Sequence, residues 1–375
     1  MSIQDVTAVL ERRKPARMVY APNYWQWFAH NRNHKTLPAE LAGCNDQLDM
    51  INRLGLSVFS RNIYCDEKRG WWGGLCEVTF NGSEREWQEG NDLVIERTYG
   101  RLTERLRYVF RESTLVQEKF AVDDYASQLD DLEALLSARR WRFVPARFHT
   151  IQQRVGNRGV VMAGELHSPL KMLHLLLGPA DTTYLLMDYP ERAAELLALH
   201  EAAQLDLVRQ MAQAGVRVMM SMDNLDTAFH PPEYVERYSA SFYEQASRIC
   251  HAHGSLFFIH ACGRQRVLLP VVASLGVDGL EGVAFPTLGD VELDEAMRLS
   301  GDRLIITGGI SALEFGRLKT RDDIRAYVRG LLGRMKPFAH RFILSASCNT
   351  PVTAPWESIL HFRDAWREYS GIQGL

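Results

Sequence analysis

Residues 255–263 read SLFFIHACG, an apolar run that passes directly into a histidine, a cysteine and a glycine. A short continuous apolar run bounded by turn residues is the pattern of a strand buried on both faces, as in a parallel sheet. Outward from it, similar runs lie at 160–163, 216–222, 277–281, 304–307 and 342–346, alternating with helix-period segments. That alternation is the signature of parallel α/β architecture. The plainest helix is 190–214, PERAAELLALHEAAQLDLVRQMAQA, which follows Asp188 and stops at Gly215, as glycine past a helix C-terminus commonly does. Two earlier runs, 17–21 and 56–64, raise the strand count to the eight that close a (β/α)8 barrel. The expected fold is therefore α/β, a TIM barrel spanning 1–375 as a single domain.

Residues 76–122 break the pattern. CEVTFNG, DLVIERTYGRLTERLRYVF and STLVQEKFAV alternate apolar and polar residues around Asn81-Gly82 and Tyr99-Gly100, which predicts β-hairpins inserted as a lobe or cap, followed by a helix near 126–139. Exposed aromatics on such a lobe would suit a homodimer contact. The chain shows no internal repeat and no low-complexity segment.

Composition narrows the function. The 375 residues carry 43 Lys+Arg and 46 Asp+Glu, a net charge of -3 without any sustained basic stripe, so nucleic acid is not an expected partner. MSIQDVTAVLERRKPARM lacks the apolar core of a signal peptide, and no apolar stretch approaches the roughly 18–20 residues that span a bilayer. A cytoplasmic protein without membrane association is expected. Cysteines at 44, 65, 76, 250, 262 and 348 are too sparse for a disulfide scaffold in so long a chain, leaving reduced thiols or metal ligands.

His260 and Cys262 stand two apart at a strand end, hence on one side of an extended chain. Cys348 follows another strand, 342–346, and in a barrel both ends open on one rim. One imidazole and two thiolates suit zinc, and three protein ligands with a fourth position open mark a catalytic site. Taken singly, these same residues are more commonly small buried cysteines and a satisfied core histidine. Glu281, ending VDGLEG on the next strand, is a candidate fourth ligand or a loop anchor. Asp223, Asn224 and Asp226 end VRVMMSMDNLD on the same rim, facing substrate or capping the helix near 232–252. After the first strand, Tyr24, Trp25, Trp27, His30, Arg32 and His34 either wall a pocket for a flat ligand, with Tyr24 as a catalytic candidate, or pack the core. His251 and His253 precede their strand and so lie away from Cys262. Gly308-Gly309 would allow a close backbone approach.

With H-x-C at 260–262 and a distant Cys348, the chain resembles the uroporphyrinogen decarboxylase superfamily, in its cobalamin-dependent methyltransferase branch. The resemblance extends through GELHSPLKMLHLLLG at 164–178, DYPERAAELLALH at 188–200, residues 220–243, HACG at 260–263 and CNTPVTAPWESILHF at 348–362. It implies a (β/α)8 barrel that binds zinc through His260, Cys262 and Cys348. The implied reaction moves a methyl group between a methylated donor or corrinoid protein and a thiol, such as coenzyme M, or a folate. No D-x-H-x-x-G stretch of corrinoid-binding domains occurs here, so the cobalamin would come on a separate partner protein. Two departures stand out. The decarboxylases' N-terminal R-Q-A-G-R-Y is replaced by NYWQWF at 23–28, and the methyltransferases' final glycine-cysteine-glycine by Ser347-Cys348-Asn349. Two rival readings follow: a metal-free decarboxylase of a tetrapyrrole or other acid, and a non-catalytic carrier of a corrinoid or other ligand.

Overall fold

The run at 342–346 forms a strand over those same residues, and its sheet neighbours come from the last run before it, 304–307, and from the first, 17–21. The structure, a computed structural model, describes residues 3–65, 68, 74–286 and 288–372. In chain order the strands are β1 Val19–Tyr20, β2 Val58–Ser60, β3 Cys76–Thr79, β4 Ser83–Glu89, β5 Asp92–Tyr99, β6 Leu102–Val109, β7 Thr114–Lys119, β8 Arg140–Phe143, β9 Gly159–Leu166, β10 Val218–Ser221, β11 Leu256–His260, β12 Gly279–Val283, β13 Ile305–Ile310 and β14 Phe342–Ala346.

Eight of these form one parallel sheet in the order β1-β14-β13-β12-β11-β10-β9-β2. The two end strands meet where Ser57 N donates to Tyr20 O at 3.2 Å, so the sheet curls into a barrel. Alternate residues of its strands, including Val19, Phe59, Met162, Met220, Phe258 and Ile343, share one buried cluster with Val6, Val9 and Leu10 of the helix Ile3–Leu10. That period-two set is the barrel interior, and the N-terminal helix plugs its lower end. The outer faces of the strands pack on helices, of which Pro190–Gln213 is the longest.

Residues 83–119 form a separate four-stranded antiparallel sheet, β4-β5-β6-β7. Gly100, with φ 61, and Arg101 form the turn between β5 and β6, directly after Tyr99. Asn81-Gly82 is not a hairpin turn: β3 pairs with β8, and β4 with β5. A Cβ on Gly82 would lie 2.0 Å from Thr98 O, so the glycine is needed where the chain crosses onto β5. The lobe also does not offer the exposed aromatics expected of it. Trp87 is half-buried, with the guanidinium groups of Arg85 and Arg105 at 5.0 and 5.7 Å from its ring. Among the described residues the exposed large aromatic side chains are Tyr184, Tyr189 and Phe229, all outside the lobe, whose exposed large apolar side chain is Val116. No helix of the described residues is long and apolar enough to cross a membrane.

Candidate metal centre

His260 closes β11, and Cys262 lies two residues beyond it. Cys348 lies two residues beyond β14, with β12 and β13 between the two strands in the sheet. Curling of the barrel brings the ends together: one donor atom from each of His260, Cys262 and Cys348 lies within 4.8 Å of the others. Cys348 Sγ is 3.7 Å from His260 Nε2. A tetrahedral ion at ordinary zinc–sulfur and zinc–nitrogen lengths would separate such a pair by about 3.5 Å, so this group can share one ion with small adjustments.

The ring of His260 is fixed from behind. Its Nδ1 lies 2.5 Å from Glu281 Oε2, and β11 and β12 pair His260 directly with Glu281. The other carboxylate oxygen accepts from Arg61 Nη1, and Arg61 Nη2 lies 3.4 Å from Cys348 Sγ. Glu281 therefore sits on the far side of the imidazole from the sulfurs, with both oxygens engaged; it is not among the three clustered donors. The sequence offers it as a fourth ligand; in the structure its two oxygens face His260 Nδ1 and Arg61 Nη1. Gly282 makes the approach possible, since at φ 90 a Cβ there would lie 2.7 Å from His260 Cε1 and 2.9 Å from Ser347 O.

Charge in the cluster is poised for thiol ionisation. The Cys262 thiol beside Cys348, together with Arg61 and His260, holds Cys348 well below the ordinary thiol range against the effect of burial. Cys262, the partner that keeps its proton, is pushed up by Cys348 and by burial. For His260, burial and Arg61 act downward, yet Glu281 and Cys348 outweigh them and raise it.

The departure at 347–349 has a structural counterpart. Asn349 Oδ1 accepts from Asn23 Nδ2 at 2.7 Å, Asn349 Nδ2 donates to Gln26 Oε1 at 3.1 Å, and Asn23 Nδ2 also donates to Asn62 Oδ1 at 2.8 Å. The Cys348 loop is thus tied to the segment after β1 and to the segment after β2. That N-terminal segment also holds the lobe: His30 Nδ1 lies 3.0 Å from Ser113 Oγ, and His34 Nε2 lies 3.1 Å from Phe110 O. Tyr24 packs in the core, the second of its two readings. It is fully buried, with its hydroxyl 3.3 Å from that of Tyr20 and its amide donating to Gln47 Oε1. Trp27 is likewise core, stacked on Trp356 at 5.8 Å. Trp25 and Arg32 do line a cavity of about 240 Å³, together with Ile63, Tyr64 and Cys65.

Asp223 is buried at the end of β10 and accepts from Tyr243 Oη at 2.5 Å, Ser168 N at 2.8 Å and Ser221 Oγ at 2.9 Å. Burial raises its pKa despite these donors, and its geometry is that of a hub joining the ends of β9 and β10. Asn224 follows in the left-handed region at φ 49, which asparagine tolerates better than most residues. It lines a cavity of about 280 Å³ between the barrel mouth and the lobe. Asp226 accepts from Ala228 N at 2.7 Å and Arg264 N at 3.0 Å, tying its loop to the one that carries Cys262. His251 is at the other end of the barrel, with Nε2 2.7 Å from Asp278. The glycine pair of β13 allows strand packing, because a Cβ on Gly308 would meet Val283 O at 2.6 Å.

Arg61 and Lys171 are the residues that motif reading passes over. Both had a usable signal: Arg61 directly follows a barrel strand, VFS, and Lys171 lies just past the end of VVMAGEL, the rim on which barrel sites are built.

The chain matches the model of the family described as Uroporphyrinogen decarboxylase (URO-D) over residues 116–369, more than half its length, and it belongs to that family. Its fold is similar to that of a methyltransferase from Methanosarcina mazei, at 14% identity and a TM-score of 0.63, with 98% of this chain and 99% of that one covered. A D-psicose 3-epimerase from Clostridium cellulolyticum H10 is a more distant likeness, at 10% identity and a TM-score of 0.38, covering 60% of this chain and 83% of the other. No curated protein matches the chain.

Proposed function

We propose that this protein is a zinc-dependent methyltransferase that moves a methyl group between a corrinoid, carried by a separate protein, and a small acceptor or donor such as a thiol or a folate. The observation that carries the reading is the convergence of His260, Cys262 and Cys348 at the barrel mouth with Glu281 and Arg61 behind them. The printed name of the Methanosarcina mazei protein that shares the fold supports it. Zinc held by these three residues would supply a Lewis acid that lets an incoming thiol lose its proton near neutral pH, while two anionic sulfur ligands keep that thiolate nucleophilic.

The chain's own groups prepare the site. Glu281 accepts a hydrogen bond from His260 Nδ1–H, which fixes the tautomer and turns the Nε2 lone pair towards the sulfurs. Arg61 offsets the negative charge of Glu281 and of the thiolates in a place where unpaired charge is costly. Asn224 faces the adjoining cavity as a substrate contact, and Asp223 holds the shape of that wall. With Glu281 engaged elsewhere, an ion held by His260, Cys262 and Cys348 would keep a fourth position open to an incoming sulfur.

Elemental analysis of the purified protein tests the metal. About one zinc per chain is expected, lost in a Cys262→Ala/Cys348→Ala variant; a wild-type protein that neither contains nor takes up zinc overturns the proposal. The absorbance of methylcobalamin, followed with thiols and tetrahydrofolate offered in turn, tests the reaction. Tight corrinoid binding with no turnover for any acceptor would favour a carrier.

A further inference from the structure

The cavity beside the metal centre is two-sided. Lobe residues Leu106, Leu115 and Val116 face Met172, Leu175 and Met222 of the barrel across it. Its volume of about 280 Å³ falls near the lower end of small-molecule sites, which are mainly apolar with a few placed polar groups. The barrel rim contributes the polar groups Lys171, His167 and Asn224, and the lobe side contributes Glu104 and Gln117.

Lys171 is the unusual member. It stands in the first turn of the helix Pro169–Leu177, largely buried, and among the described residues its ammonium forms no ion pair or hydrogen bond. The carboxylate that acts on it is Asp223, which already accepts three hydrogen bonds. Burial draws the Lys171 pKa down, and neither Asp223 nor Cys262 restores it. The histidines around it add no negative charge. Arg139, stacked at 5.3 Å on Tyr99, brings a second cation to the same cavity. The one acid on the lining, Glu104, is matched by Arg97 Nη1 at 3.1 Å and by the Tyr99 hydroxyl at 2.5 Å. Arg97 is shared with Glu84 at 2.6 Å, so the lobe charges are met within the lobe, and Lys171 is the barrel cation left to face the cavity between the apolar side chains of lobe and barrel.

We propose that the small-molecule reactant is an organic anion with an apolar body: its anionic group lies on Lys171 beside Asn224, and its hydrocarbon or aryl frame lies between the lobe and the barrel. The inference deepens the methyl-transfer reading and rests on it for the word reactant, but not for the binding itself. Leu225 N, next to Asn224, donates to His260 O at 3.0 Å, which sets this end of the cavity beside the metal centre.

Calorimetric titration with three carboxylates, propionate, octanoate and 3-phenylpropionate, each against its neutral amide, tests the proposal. At least one of the longer carboxylates should bind tenfold or more tightly than its amide, and propionate more weakly than both. In Lys171→Met the carboxylate preference should fall below threefold while the amide still binds, with zinc content unchanged. The preference should survive in Cys262→Ala/Cys348→Ala. Equal binding of acid and amide in the wild type, or no binding by any of the six, overturns the proposal, as does an anion preference undiminished in Lys171→Met. If the anion preference holds and methylcobalamin is never turned over, the methyl-transfer reading fails and the anion site stands.

Discussion

Glu281 shows why a residue's type and strand position do not by themselves give its role. It was a reasonable fourth ligand by chemistry, yet pairing of β11 with β12 sets it against the back of His260, and Arg61 takes its remaining oxygen. The two roles predict different behaviour. As an orienting group, Glu281→Gln should weaken zinc affinity roughly 10- to 100-fold, the usual cost of losing such a partner. It should also cost stability, about 3–5 kcal/mol, because buried Arg61 is left without its counter-charge. The double variant Arg61→Met/Glu281→Gln should recover much of that stability without recovering zinc affinity. Chelator competition and urea unfolding on the same samples separate the two quantities; zinc affinity restored together with stability would show that Glu281 acts only as Arg61's partner. Gly282→Ala tests the same geometry from the backbone side. The added methyl would lie 2.7 Å from His260 Cε1 at a φ of 90, so the ring must move. A fall in zinc occupancy and a loss of roughly 1–3 kcal/mol are expected, checked by metal analysis and thermal unfolding; full occupancy in the variant would contradict the tight packing of the ring.

At the scale of elements, the lobe bears on the cavity through its own buried ion pair. Arg97 and Glu104 face each other across β5 and β6, with side chains 3% and 6% exposed, and Glu104 lines the cavity. Arg97→Met should cost about 3 kcal/mol, since it strands a buried carboxylate, and should weaken anion binding by bringing uncompensated negative charge towards Lys171. Urea unfolding and the same carboxylate titrations check it; unaltered anion affinity would mean that the Glu104 charge does not reach the ligand. The lobe also shows what sequence could and could not reveal. Barrel strands were legible because strands buried on both faces must be apolar throughout, and the Tyr99-Gly100 turn because the residues beside it alternate. Asn81-Gly82 misled because a turn dipeptide fixes local backbone shape, whereas the partner of β3 is β8, more than sixty residues away. Cys348 was legible as a strand-end thiol, while the bond of its neighbour Asn349 to Asn23, and of Asn23 to Asn62, depends on barrel closure, which no local pattern encodes. Tyr24 misled for the same reason: a residue just after a strand can face the mouth or the surrounding helices, and here it packs against Tyr20 and Gln47.

For the whole molecule, the buried ionisable groups set how stability responds to acid. Burial holds His167 and His200 down to about 3 and His174 to about 4, against an ordinary value of 6.5. The folded chain keeps them neutral where the unfolded chain takes up protons, so the unfolded state binds more protons in the window from 6.5 down to about 4. Stability is complete above 6.5 and falls as the pH drops through that window, by roughly 2 kcal/mol per histidine between pH 7 and pH 5. Glu165 acts in the opposite direction. It is buried at the end of β9, accepts from Leu75 N at 2.8 Å, and is raised by burial to about 7 from 4.5. Its folded form binds the extra proton between 4.5 and 7, so its contribution is largest at low pH and is lost as the pH rises through 7, about 2 kcal/mol over the same interval. Three histidines outweigh one glutamate, and the protein should lose stability on acidification from pH 7 to pH 5. Glu165→Gln removes the opposing slope, so the variant should be more stable relative to wild type at pH 7 than at pH 5, its unfolding free energy falling about 2 kcal/mol further over that range. Urea titrations of both proteins at pH 7, 6 and 5 measure the difference directly; parallel pH profiles would mean that Glu165 is ionised in the folded chain throughout, with Leu75 N, Tyr64 and Cys76 stabilising its charge against burial.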